Sequence, residues 1–278
     1  MRVLKKYFFY SFVLFLFVII NFNVYARNRA TLIVNSSGRV LHAKNAKKKL
    51  YPASLTKLMT AYLVFESLKH KKLSFNTKLV TSRQASSMPP TKLGLKRGEV
   101  ILLRDAIMGM LIKSFNDVAV VLAEGVAGSE KKFAKIMNKR AQQLGMTDTR
   151  FANASGLHHR RQVTTAYDMA KLTMALMRDF PEYYHLFSIN SFLIKRSFYK
   201  NKNYVKKKLP GVEGMKTGYT SKAGWNIVTT AKRRGARLIG VILGGSTYLA
   251  RDRTMINLMN KYFAKLGRLG NTSSRRHG

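Results

Sequence analysis

Apolar residues recur at helical spacing after Ser54, at Leu55, Leu58, Met59, Tyr62 and Phe65, and predict a helix running to about Lys69. Leu103–Ile112 reads as a second helix. Asn116–Ala127 reads as a third, and its apolar residues go nearly all the way round, which predicts burial on every side. Ser129–Leu144 is amphipathic, with Lys and Arg on its wet face and Gly145 as its stop; Thr165–Met177 is helical and ends before Pro181. Elsewhere the period falls to two. Ala30–Val34 and Arg39–Ala43 flank the turn Asn35-Ser36-Ser37-Gly38, and Gly224–Ala231 and Arg237–Leu243 flank Lys232–Gly235. Leu73–Thr81 holds a short strand, Ser191–Lys208 alternates weakly as a basic hairpin, and Tyr248–Leu266 closes the pattern as an amphipathic helix before a polar tail. Strands at both ends with helices between predict an α+β domain: one antiparallel sheet built from N- and C-terminal segments, flanked by helices, with an all-helical insertion.

The N-terminus stands apart from this pattern. Arg2, Lys5 and Lys6 precede an apolar run from about Phe8 to Ile20, and Val24-Tyr25-Ala26 offers small residues for cleavage. This is the layout of a secretory signal at residues 1–26, with an uncut anchor as the alternative. The expected layout is therefore a signal, one domain over 27–267 and a polar tail over 268–278. No cysteine is present, so disulfides, thiolate metal sites and thiol catalysis are excluded. The net charge of +39 falls to +36 once Arg2, Lys5 and Lys6 are removed, and in an exported chain it points toward anionic envelope surfaces rather than nucleic acid.

Ser54 and Lys57 stand three apart at a helix start, where they share a face. A serine hydroxyl needs a base within reach to become a nucleophile at neutral pH. The pairing is common in a lysine-rich chain and recurs at Ser129/Lys132 and Ser197/Lys200, both in polar stretches that read as surface. Ser114-Phe115-Asn116 lies between two predicted helices; Ser-x-Asn also recurs at Ser74/Asn76 and Ser188/Asn190, and the simplest role for Ser114 is a helix cap. Lys216-Thr217-Gly218 occurs once, between Gly214 and Gly224-Trp225. There a cation and a hydroxyl can hold a carboxylate, and the glycine lets substrate lie along an edge strand.

Taken in order, Ser54-x-x-Lys57, Ser114-x-Asn116 and Lys216-Thr217-Gly218 resemble the motifs of penicillin-binding proteins and serine β-lactamases. Tyr51–Lys57, Asn116-Asp117, Asn153–Leu157, Thr165–Ala170 and Gly214–Gly224 bring the chain closer to the low-molecular-mass D-alanyl-D-alanine carboxypeptidases, from about Arg29 to Leu266. The resemblance implies the penicillin-binding-protein fold and a cofactor-free, metal-free hydrolase acting on the peptidoglycan pentapeptide and acylated by β-lactams. It implies that Ser54 is the nucleophile, Lys57 its neutral base, Ser114 a proton relay and Asn116 an orienting amide. Lys216, Thr217 and Arg251 would hold the terminal carboxylate, and the backbone N–H groups of Ser54 and Tyr219 the oxyanion. Three departures from the family are expected to matter. Phe115 replaces a common glycine and should narrow the cleft floor, and the β-rich second domain and the C-terminal amphipathic anchor of longer relatives are missing.

Competing readings are weaker. A class A β-lactamase needs a deacylating glutamate, and neither Glu182 nor Glu213 has the right surroundings. An endopeptidase is chemically close to a carboxypeptidase. A non-catalytic peptidoglycan-binding protein would have lost a motif residue. The pair His158-His159 has no acidic companions to make a metal site, and no nucleic-acid motif accompanies the basic charge.

Overall fold

The structure is a computed structural model that describes residues 29–274; the apolar N-terminal run lies outside the described residues. Among them no helix is long and apolar enough to cross a membrane. Strands β1 (Ala30–Asn35) and β2 (Val40–Lys44) form the first predicted hairpin. Three C-terminal strands, β7 (Val212–Thr220), β8 (Gly224–Arg233) and β9 (Ala236–Gly245), join them in one antiparallel sheet of order β2-β1-β9-β8-β7. Ala30 pairs with Leu243 and Val34 with Ile239, so the two ends of the chain close the sheet.

The period of two in these strands serves two cores. Along β9, Leu238 and Ile242 face one side together with Ile33 and Ile227, where the final helix α9 (Tyr248–Ser274) lays Met255, Met259, Tyr262 and Phe263 against them. Ile239, Val241 and Leu243 face the other side and join the larger core built by the helical region. The helix α9 continues to Ser274, into the stretch 268–278 expected as a polar tail.

In the helical region α1 (Lys57–Lys69) follows a 3₁₀ turn over Ala53–Thr56 and is buried almost throughout. It packs against α4 (Asn116–Ala127), which is equally apolar and ends at Gly128 in the left-handed conformation. Between them in sequence lie β3 (Lys78–Val80), a single turn α2 (Arg83–Ser86), β4 (Val100–Leu102) and α3 (Leu103–Met108). The helix expected over Leu103–Ile112 instead widens into a π-turn, Gly109–Lys113. Helices α5 (Glu130–Gln143) and α6 (Ala166–Asp179) are capped by Ser129 and Thr165, which accept from the N–H groups of Lys132 and Asp168. The Ser129/Lys132 recurrence is thus a helix cap. After the turn α7 (Pro181–Tyr184), β5 (Ser191–Ile194) and β6 (Ser197–Lys200) make the basic hairpin, which gives way to the short helix α8 (Val205–Lys208).

One carboxylate fixes the loop over the site. Asp117 is fully buried in the first turn of α4 and accepts from the backbone N–H groups of Leu93 (2.9 Å), Gly94 (2.8 Å), Leu95 (3.2 Å) and Val118 (2.9 Å). Asp117→Ala leaves these donors unpaired, so it should lower unfolding free energy in urea by about 3 kcal/mol or more while keeping the secondary structure seen by circular dichroism.

Candidate active site

Ser54 sits on a tight, strained entry to α1. Ala53 adopts φ +48°, a left-handed conformation that costs a residue with a Cβ roughly 1–2 kcal/mol. Neighbouring backbone holds it there. Asn226, fully buried on β8, donates from Nδ2 to the carbonyls of Tyr51 (2.9 Å) and Pro52 (3.0 Å) and accepts from the N–H of Gly244 (2.8 Å). Gly156 presses so closely from the other side that a Cβ there would lie 2.0 Å from the Ala53 carbonyl oxygen. At Gly218 on β7 a Cβ would lie 2.9 Å from the Ser54 nitrogen, so the edge strand runs directly past the serine. Ala53, Leu55 and Thr56 are buried, and Ser54 alone of this turn is partly exposed.

Lys57 begins α1 one turn later and is completely buried. Its Nζ lies 3.3 Å from Ser54 Oγ, 2.8 Å from Asn116 Oδ1 and 2.5 Å from the Ser155 carbonyl oxygen. Among the described residues no carboxylate makes an ion pair with it, and Asp117 and Glu130 act on it only at longer range. Burial, first, and then the positive charges of Lys216 and Lys202 hold its ammonium well below the ordinary lysine range. That direction favours the unprotonated amine, the form able to accept a proton from a serine hydroxyl.

The Asn116 side chain is itself fixed: its Nδ2 donates to the Pro89 carbonyl (3.0 Å), and its backbone N–H donates to that of Thr91 (2.7 Å). Ser114 closes the π-turn at φ +66°, again left-handed, and its buried Oγ has no hydrogen-bond partner among the described residues. It does not cap α4, whose N-cap position is Phe115. The Phe115 ring is 3% exposed, packs against Gly109 and meets Tyr199 edge-on at 5.3 Å, so it supports the β5–β6 hairpin.

Lys216, on the edge strand β7, is buried and donates to the Thr217 carbonyl at 2.9 Å. Burial, with help from Lys202 and Arg251, brings its pKa down to about 7. Arg251 is 4% exposed and paired to Asp252 Oδ1 at 2.7 Å, and it donates to the Asn226 carbonyl at 3.3 Å. Tyr219, beyond Gly218, is half exposed and stacks on Trp225 at 4.1 Å. Glu213 lies apart from the serine and lysines, held in a two-pronged pair by Arg237.

Sequence reasoning missed four contributors. The Ser155 carbonyl acts through backbone, which no side-chain motif reveals. Asn226 and Asp117 position other groups and have no catalytic signature of their own. Lys202, whose Nζ lies 3.5 Å from Thr91 Oγ1, was lost among the many surface lysines of a basic chain.

A serine whose Oγ lies 3.3 Å from the Nζ of a buried lysine, at a helix start wedged against an antiparallel edge strand, has the parts of a serine acyl-transfer centre. The comparisons with known proteins agree. Residues 23–247 match peptidase family S11, D-alanyl-D-alanine carboxypeptidase, and the chain belongs to that family. It is 35% identical over 241 residues to D-alanyl-D-alanine carboxypeptidase DacF of Bacillus subtilis, a match covering 85% of this chain and 62% of the relative. Thus the chain spans about three fifths of the length of the first curated relatives it matches. Penicillin-binding protein 5 of Haemophilus influenzae superposes with a TM-score of 0.81 at 34% identity, covering 84% of this chain and 70% of the other. Penicillin-binding protein D2 of Listeria monocytogenes, solved in an ampicillin-bound form, gives 0.76 at 32% identity, covering 83% and 95%. The expected α+β fold of the penicillin-binding proteins is therefore correct.

Lys202→Met removes a positive charge that faces both active-site lysines. The Lys57 pKa should rise, and because the neutral form is the base, the acid limb of the pH–rate profile for acylation of Ser54 should move to higher pH. Stopped-time intact-mass measurements across pH 5–10 with an acylating reagent check this; an unmoved limb contradicts it.

Proposed function

We propose that the chain is an exported serine D-Ala-D-Ala carboxypeptidase that trims peptidoglycan stem peptides through an acyl-enzyme on Ser54. The observation that carries this reading is the buried Lys57 Nζ at 3.3 Å from Ser54 Oγ. Family membership and the penicillin-binding structures support it.

In this reading Lys57 takes the Ser54 proton as Oγ attacks the carbonyl of the penultimate D-alanine. The N–H groups of Ser54 and Tyr219 stabilise the oxyanion, a contribution typically worth about 10²–10³ in rate per donor. The C–N bond then breaks, and the proton passes through Ser114 to the leaving amine of the terminal D-alanine. Ser114, with its unpartnered hydroxyl, suits this relay. Water then deacylates Ser54. Asn116 keeps Lys57 aimed at the serine and orients the substrate backbone. Lys216, Thr217 and Arg251 hold the terminal carboxylate, and arrival of that anion favours the protonated form of Lys216, which is poised near neutrality. β-Lactams, which carry an analogous carboxylate, acylate the same serine. Residues 1–26 are the export signal of a peptidase domain over 27–267, located in the periplasm or cell envelope. The net charge of +39 suits an anionic envelope surface.

Mass spectrometry after incubation with penicillin should show one adduct on Ser54, and a pentapeptide ending in D-Ala-D-Ala should lose D-alanine. Ser54→Ala should abolish the adduct and lower D-alanine release by about 10³-fold or more. An adduct that survives the substitution overturns the assignment. Penicillin consumed rapidly without an adduct points instead to a β-lactamase.

A further inference from the structure

The Ser155 carbonyl that meets Lys57 Nζ lies outside every helix and strand, so no ladder of hydrogen bonds holds it in place. The residue before it does. Ala154 is fully buried, and both of its backbone groups are held by side chains from separate helices. Its carbonyl accepts from Thr60 Oγ1 at 2.8 Å, one turn beyond Lys57 on α1. Its N–H donates to Glu130 Oε1 at 2.9 Å, from the first residue of α5. On the far side of Ser155, the Gly156 N–H donates to Asn153 Oδ1 at 2.7 Å. A loop carbonyl tied before and behind has one direction in which to point.

Glu130 is an uncommon carboxylate for so basic a chain. It is half-buried, and its Oε2 accepts from Gln84 Nε2 on α2. Among the described residues no cation is in ion-pair contact with it. Burial raises its pKa above the ordinary carboxylate range, against the opposing pull of the Ala154 N–H. An acid in the first turn of a helix satisfies the helix dipole without reaching into a loop. Glu130 does reach, to a residue 24 positions on, and a bond from a backbone N–H to a carboxylate is stronger than one to a neutral acceptor. Glu130 and Lys57 therefore bind adjacent residues of one loop, and their opposite charges act on each other across it.

We propose that Glu130 is a positioning residue for Lys57: by tethering Ala154 it keeps the Ser155 carbonyl on Nζ, and so keeps Nζ on Ser54 Oγ. This role deepens the proposed function, since it rests on Lys57 acting as the base toward Ser54, and it falls to a residue outside the three motifs. The charged groups around the pair are few. Lys57 is faced by Lys216 on β7, Lys202 after β6, Asp117 on α4 and Glu130 on α5; Glu130 is faced by Gln84 on α2, Glu124 on α4 and Lys57 on α1.

Two variants separate the tether from the charge. Glu130→Gln keeps an oxygen for the Ala154 N–H and loses the charge, and the Gln84 amide can turn over to face the new NH₂ group. Glu130→Ala loses both. Acylation of Ser54 by benzylpenicillin, followed by intact mass across about pH 5 to 10, should slow by about tenfold or more on the high-pH plateau in Glu130→Ala. Glu130→Gln should recover most of that rate. Its acid limb should also move to lower pH, opposite to Lys202→Met, because removing a negative charge lowers the Lys57 pKa and the neutral amine persists to lower pH. Unchanged acylation in both variants overturns the proposal. So does a loss shared in full by Glu130→Gln with the limb unmoved, which would make Glu130 a support of the fold alone. A natural chain that forms no Ser54 adduct would instead overturn the reading of Ser54, and Lys57 can then be followed directly. With lysine labelled with carbon-13 at Cε, the Lys57 resonance is assigned by its loss in Lys57→Met. Its titration midpoint should be lower in Glu130→Gln than in the natural chain. It should be lower still in Glu130→Ala, where the Ser155 carbonyl no longer stabilises the ammonium. Equal midpoints in Glu130→Gln and Glu130→Ala overturn the tether, whatever the outcome of acylation.

Discussion

Removing one lysine from water governs the architecture of this protein. Lys57 is enclosed without a counter-ion, and an ammonium in that setting is costly unless it gives up its proton. Nearly every neighbouring feature serves that enclosure. The Asn116 amide and the Ser155 carbonyl receive its hydrogen bonds, Asp117 ties down the loop above it, and the apolar faces of α1 and α4 shut out solvent. Lys216 and Lys202 add repulsion that outweighs the longer-range attraction of Asp117 and Glu130. In an ordinary core this arrangement would be a defect, yet here it favours the unprotonated amine beside a serine hydroxyl.

The same centre concentrates backbone strain. Ala53 and Ser114, on separate loops, both take left-handed conformations that residues with a Cβ ordinarily avoid. Each is held by surrounding structure: Ala53 by the Asn226 amide and the close approach of Gly156, Ser114 by the π-turn before it and the anchored Asn116 after it. Such positions persist only where the scaffold over-determines them, which is why a sheet residue, Asn226, is as much a part of this site as the serine it supports.

Much of the fold was legible because its signals are local. The hairpins at both ends carry period-two patterns, and the turn residues and caps at Gly38, Ser129, Thr165 and Gly235 mark the element boundaries through chemistry between near neighbours. The three motifs were legible from residue types, spacing and order, and only the Ser54–Lys57 pair also sat on an element that the apolar pattern predicted. What escaped depends on contacts across the fold. The π-turn after Met108 has no sequence period of its own, and the contact of Phe115 with Tyr199 joins residues far apart in the chain. The tail past Gly267 continues α9 although its composition reads as solvent-exposed coil. Lys202 was indistinguishable from its many exposed counterparts until the folded chain placed it beside Lys216.

The strand order also dictates when the protein can begin to exist as a folded object during synthesis. β1 has its inner neighbour in β9, and the turn bearing Ser54 leans on β7 and β8, so the N-terminal hairpin has an unsatisfied edge until almost all of the described chain has been made. Contacts of such wide sequence separation form slowly, because the loop between them must be closed before any stabilisation is gained. A growing chain is therefore held back from premature compaction by topology alone. Completion of the fold is thus tied to completion of the chain, and the delay does not rely on low stability in the finished product.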